Sequence, residues 1–355
     1  MKDIDNFLTS GKNLNKKNHQ RTKSFGYQVL GFGAGGGASP FIAATGGTIT
    51  TCGSDKIHTF TGPGTFTVCK AAVCAANNLV SYLVVAGGGA SGGNIAGGSG
   101  AGGYRELKSP STPSYTASPL DGYPSSPNRI TVTATGYPIT VGAGGTASMC
   151  APSNTNGANS VFSTITSAGG GKGGIFPYPG PGANAAPGGS GGGEAGAAHG
   201  SAGSGNDPPT TPSQGNSGSN GSPNYPQLAA GGGGGAGGTA GGSANCRGGP
   251  GGVGAGTAIN PAAGTSGPDG ALKYYAGGGG GGIYGYPGNP NPAYAPGGYG
   301  GGGAGFGNGN SMPDPQVDRK GTVNTGGGAG QYSCSSPCSG GTGGSGIVII
   351  RYKVK

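Results

Sequence analysis

Tryptophan is absent, charged side chains make up only 8% of the residues, and hydrophobic ones only 32%. So little apolar mass spread over 355 residues excludes one large conventional core, and any side-chain core must be small and local. No apolar run approaches the length of a membrane span, so membrane insertion is not expected. No apolar segment follows the first basic residues closely enough to read as a signal peptide, so a soluble product made in the cytoplasm is expected. The three histidines, His19, His58 and His199, lie far apart, and no C-x-x-C occurs, which leaves no metal-ligand spacing. The ten carboxylates form no pair in an acid/base context. Asp121, Glu194, Asp207, Asp269, Asp314 and Asp318 fall in Gly/Pro loops, where such residues make turns. Neither Gly11-Lys12-Asn13 nor Gly171-Lys172-Gly173 completes a phosphate loop. The expectation is a protein without catalytic, cofactor or metal sites.

What is present is glycine: 92 glycines and 28 prolines, roughly a third of the chain. Such a composition without a period suggests disorder, but low charge and regularly spaced strand-like islands favour a glycine-built architecture. Collagen is excluded, because glycine does not recur at every third position. The recurring unit is a β-branched run that feeds into glycine. Tyr82-Leu83-Val84-Val85-Ala86-Gly87-Gly88-Gly89 is the clearest case; Tyr27–Leu30, Val161–Ala168 and Leu272–Ala276 each lead into similar glycine runs. Polyglycine in the extended threefold helix makes no internal hydrogen bonds and turns every N–H and C=O outward to neighbouring chains. Gly277–Gly282 in that form would span about 19 Å at about 3.1 Å per residue.

The fold expected is therefore mainly β, with extensive irregular and polyglycine-II-like structure and little or no helix. A small β-sandwich or barrel hub would carry a glycine-rich rod and loop bundle. Residues 1–24 form a basic arm and 25–45 a strand and glycine connector. The hub covers 46–170, the glycine/proline-rich region 171–345, and a closing strand, 346–355, returns to the hub. Strands are expected at Phe25–Leu30, Thr48–Thr51, Ile57–Thr61, Thr65–Val68, Val80–Val85 (central), Arg129–Ala134, Tyr137–Val141, Ser160–Thr166, Leu272–Tyr275, Thr322–Thr325 and Ile347–Tyr352. Cys69 with Cys74 and Cys334 with Cys338 are spaced for short-loop disulfides, or are small apolar fillers.

Much of the basic excess behind the net charge of +9 is local to the arm, where Lys12, Lys16, Lys17, Arg21 and Lys23 suit attachment to an acidic protein surface. Nucleic acid is a weaker candidate, because Phe7 is the only aromatic residue among those charges. Tyrosines gather late in the chain. Tyr284, Tyr286, Tyr294 and Tyr299 are candidate contacts to a carbohydrate or protein surface, or else caps on the glycine rods.

Gly46–Thr51, Lys56–Thr61, Gly64–Val68, Tyr82–Gly89, Gly102–Arg105 and Gly343–Tyr352 together resemble the glycine-rich-domain proteins of tailed phages, especially marine ones. The resemblance implies a virion component, commonly a tail fibre or fibre-tip adhesin. It would attach through its N-terminus to other virion proteins and touch the host surface through loops of a polyglycine bundle. A head decoration or tail-associated structural protein is the alternative, and homo-oligomerisation is left open. The basic first 24 residues depart from a typical member.

Overall fold

The computed structural model describes residues 39–93, 95–112, 114–147, 153–176, 183–196, 200–222, 228–244, 247–268, 270–283, 295–306, 319–331 and 340–355. The chain divides into two units, Met1–Pro40 and Phe41–Lys355, and the account below concerns the second. It is mainly β, with several antiparallel sheets, none closed into a barrel. Two short 3₁₀ turns are described, Ala75–Asn78 and Ser126–Asn128.

The strands are β1 (Ala43–Thr45), β2 (Thr48–Cys52), β3 (Asp55–Phe60), β4 (Gly64–Lys70), β5 (Ser81–Val85), β6 (Tyr104–Leu107), β7 (Gly136–Thr140), β8 (Ser160–Phe162), β9 (Ile165–Ser167), β10 (Ala255–Thr257), β11 (Thr265–Ser266), β12 (Lys273–Tyr275) and β13 (Ile347–Lys353). One five-stranded sheet has the order β1-β4-β7-β8-β9, a second β2-β3-β13-β5-β6, and a three-stranded sheet β10-β12-β11. The two larger sheets face each other across Phe66, Val68, Tyr82, Val84, Ile139, Phe162, Val348, Ile350 and Tyr352. The hub is thus the sandwich of the two expected forms. The far side of the second sheet packs through Ile57, Leu83, Val85, Ile347 and Ile349 against Ala255, Ile259 and Tyr275 of the glycine-rich part. A sheet covered on both faces favours apolar side chains at successive positions, which explains why Tyr82–Val85 and Ile347–Ile350 are unbroken apolar runs rather than alternating ones.

The C-terminal strand does return to the hub. β13 is the middle strand of its sheet, with Ile350 opposite both His58 of β3 and Tyr82 of β5, so the centre expected at Val80–Val85 lies one strand away. Three other expected strands differ. Ser160–Thr166 is a hairpin, β8 and β9, turning at Ser163 with φ +54°. Arg129–Ala134 makes only an isolated bridge, Thr131 to Leu79. It curls away because Thr133 gives its N–H to Tyr137 Oη and Thr135 gives its own back to the Thr133 carbonyl. Thr322–Thr325 is a turn, closed by the Thr325 hydroxyl on the Thr322 carbonyl with Asn324 at φ +59°. The strand expected at Phe25–Leu30 lies outside the described residues.

The glycine segments form a lattice held by backbone bonds. Gly97, Gly100 and Gly103 donate to the carbonyls of Gly174, Gly171 and Ala168; Gly98 and Ala101 donate to Gly231 and Gly234; Ser99 and Gly102 donate to Ala329 and Gly326, all at 2.7–3.0 Å. Every third residue meets the same neighbour, and the partner number moves by three each time. That is the signature of a threefold extended helix. The carbonyls of Gly98, Ser99 and Gly100 accept from Gly193, Gly279 and Gly89 on three further segments, so the run 97–103 is enclosed by six. Gly277–Gly282 repeats the pattern, donating in turn to Gly300, Gly252, Ser99, Gly303, Gly249 and Ala96. No glycine of the runs 97–103 and 277–282 has a φ in the left-handed region, as the extended conformation requires.

Such close approach leaves no room for Cβ. An added methyl at Gly98 would collide with the Gly279 carbonyl oxygen and one at Gly279 with that of Ala329, both far inside 3.0 Å, whereas nothing lies within 4 Å of one at Gly62. Gly98→Ala and Gly279→Ala should each cost about 1–3 kcal/mol or more in denaturant unfolding, as overpacking does. Gly62→Ala should leave stability unchanged or raise it by up to about 1 kcal/mol by restricting the unfolded chain.

Candidate functional site

The small sheet carries an aromatic pair on its outer side. Tyr274 lies on its middle strand, opposite Gly256 of β10 and Thr265 of β11. A Cβ on Gly256 would stand 2.7 Å from the Tyr274 ring and one on Gly267 nearer still, so the ring lies flat across two glycines. Alternation turns the next residue inward. Tyr275 is fully buried and donates its hydroxyl to the Ala263 carbonyl at 2.8 Å. Burial drives that phenol well above its ordinary range, so it stays neutral.

Tyr299 completes the pair, its ring centroid 6.3 Å from that of Tyr274 and the rings tilted by 57°. It is 52% exposed. Two features fix its backbone: its carbonyl accepts from Gly254 N–H at 2.7 Å, and the turn behind it runs through Gly300 and Gly301 at φ +100° and +92°. The Thr322 N–H bonds the Gly301 carbonyl, which brings the chain next to exposed Val323 up to this turn, and exposed Val253 precedes Gly254. Lys273 Nζ bonds Ser266 Oγ at 3.0 Å nearby. The arrangement offers fixed aromatic faces beside small apolar groups. It can bind by stacking and apolar contact.

Of the expected contact residues, only Tyr299 is among the described ones. Tyr284, Tyr286 and Tyr294 lie outside them, as do Lys12, Lys16, Lys17, Arg21, Lys23, Cys334 and Cys338. Tyr274 enters the site as its partner, a role invisible in sequence because it depends on the glycines beneath. Cys69 and Cys74 are free and exposed, which removes that expected disulfide.

The buried ionisable groups serve the fold. Arg351 on β13 pairs with Asp55 on β3 at 2.7 Å, donates to the carbonyls of Ala258 and Ile259, and lies over the Tyr115 ring, joining hub to glycine region. His58 is fully buried between the Gly46 carbonyl and Tyr352 Oη, and burial lowers its pKa. Glu194 stands within the lattice, not in a turn, and accepts from Gly221 N–H at 2.9 Å. Glu106 lies on β6, a strand the sequence did not point to. It is buried without a cation and accepts from Tyr104 Oη, the Ser118 amide and Thr257 Oγ1 at 2.6–3.0 Å. Burial raises its pKa, and these hydrogen bonds oppose the rise. Among the described residues, no group of three or more His, Cys, Asp or Glu could hold a metal ion.

A family model described as a glycine-rich domain matches residues 59–353. The chain belongs to this glycine-rich domain family. None of the curated proteins it was compared with matches it. The glycine-rich domain opens inside β3 and ends with β13, and these two strands pair directly, Thr59 opposite Ile349. The domain is therefore closed by its own first and last elements, with the aromatic pair on the lattice between them, while β1 and β2 precede the matched residues.

Glu106 gives the fold a pH dependence. Because its folded pKa is raised, the native state holds a proton that the unfolded chain has lost between the ordinary carboxylate range and the folded value. Stability falls as pH rises through that window. Asp55, also raised by burial, acts with the same sign. Glu106→Gln, which keeps an oxygen for Tyr104 and Ser118, should flatten the slope measured by urea unfolding across pH and leave the Asp55 contribution.

Proposed function

We propose that this glycine-rich domain protein is a structural virion component of a tailed phage, a tail fibre or fibre-tip adhesin rather than an enzyme. Residues 1–24, with Lys12, Lys16, Lys17, Arg21 and Lys23, dock on other virion proteins, and the glycine region meets carbohydrate or protein on the host surface. The observation that carries this reading is the Tyr274–Tyr299 pair, an exposed ring beside a half-buried one on a backbone whose hydrogen bonds leave it little freedom. Aromatic side chains held rigidly give contact area at low entropic cost. A lattice that excludes side chains is also a stiff strut, which a head decoration or tail-assembly protein would use without binding a receptor.

Adsorption separates the two. Virions carrying Tyr274→Ala with Tyr299→Ala should adsorb to host cells roughly tenfold more weakly or worse, the scale of losing a central aromatic contact. Purified variant protein should unfold at nearly the wild-type denaturant concentration. Normal adsorption, together with many copies on the head by electron cryomicroscopy, overturns the adhesin reading in favour of the decoration protein.

A further inference from the structure

Among the described residues, one sheet edge is open. β2 is the outer strand of the second sheet and pairs only with β3; among the described residues, no other backbone group bonds to Thr48–Cys52. The opposite edge is occupied, since Tyr104 of β6 gives its N–H to the Gln214 carbonyl and Glu106 accepts from Gly122. Natural edge strands are blunted by lysine, proline, bulges or extreme shortness. Thr48-Ile49-Thr50-Thr51-Cys52 has no charge, no proline and an unbroken register, and it is rich in β-branched residues. Thr48 to Thr51 are exposed on both faces of the strand, and Ile49 is 43% exposed.

The hairpin fixes which peptide groups face outward. Cys52 pairs with Asp55 across the two-residue turn Gly53-Ser54, where Gly53 takes φ +60°. The hydrogen-bonded pairs with β3 are then Cys52–Asp55, Thr50–Ile57 and Thr48–Thr59. The N–H and C=O of Ile49 and Thr51 point to the open edge. These two residues sit symmetrically about Thr50, so an antiparallel copy with Thr50 on a two-fold axis sets Ile49 opposite the other copy's Thr51. Both outward residues then exchange N–H···O=C bonds in full.

We propose that β2 is a self-association edge: two copies pair antiparallel through Thr48–Cys52 about Thr50, fusing their second sheets into one continuous sheet. The proposal is independent of the adhesin reading, because the aromatic pair lies on a different sheet. The symmetry of the pairing makes the interface isologous and self-limiting at two copies.

The test is sedimentation of the full chain over a range of concentrations. Wild type should reach a reversible dimer of the 33.2 kDa chain. Thr51→Pro removes an outward N–H that has no partner among the described residues and should weaken dimerisation roughly 10–100-fold, two bonds being lost per dimer. Ile49→Lys supplies the missing edge charge and should act in the same direction, so the conclusion does not depend on one variant folding. Thr50→Cys should yield a covalent dimer under mild oxidation, because residues facing each other across the axis approach most closely in a pair that is not hydrogen-bonded; wild type, with its own free cysteines, should not. A monomer at every concentration overturns the proposal, as does a dimer that folded Thr51→Pro and Ile49→Lys leave unchanged.

Discussion

The structure depends on one requirement: every buried peptide group must find a partner, and here the chain meets it with neighbouring backbone in place of a side-chain core. An extended threefold helix points its N–H and C=O groups to all sides, so a segment such as 97–103 must be enclosed by other segments before its bonds are complete. Chains close enough to bond this way touch backbone to backbone. Glycine is therefore a steric condition at Gly98 or Gly279, where a methyl group would overlap a carbonyl oxygen. Fixing glycine costs more conformational entropy than fixing other residues, and the density of completed bonds offsets that cost.

The lattice is coupled to a conventional β-sandwich, and the coupling accounts for the polar groups inside. The second sheet has the sandwich on one face and the glycine region on the other. Arg351 and Glu106 both act at that second face. Arg351 ties β3 and β13 to the carbonyls at Ala258 and Ile259, and Glu106 ties β6 to Thr257. Hydrogen bonds to a buried charge are strong and directional, which fixes one packing of two parts whose apolar contact alone would specify it less closely.

The placing of large side chains on this frame follows from the same economy. Where the chain leaves the lattice it can carry large side chains, and Tyr274 and Tyr299 stand at such a place. One ring rests on glycines, and the other is held by a turn of left-handed glycines. Interior positions offer no comparable freedom, so the exposed aromatic ring stands at the margin of the bundle.

Sequence by itself determined the β character, the strands with clear apolar runs, the return of Ile347–Tyr352 to the hub and the polyglycine conformation. Each of these follows from local chemistry: β-branched periodicity, or the inability of a glycine run to do anything but bond sideways. Tyr299 was legible as an exposed aromatic residue. Tertiary structure alone decided which segments are neighbours, because runs such as 97–103 and 277–282 are nearly identical in composition and carry no register signal. It also decided that β13, not β5, is the central strand, that Thr131 makes a bridge and no strand, and that Thr322–Thr325 turns. The partners of Glu106, the flat seat of Tyr274 and the open edge of β2 belong to the same class. Each depends on residues far apart in the chain, and a local pattern does not encode which distant backbone will arrive to complete it.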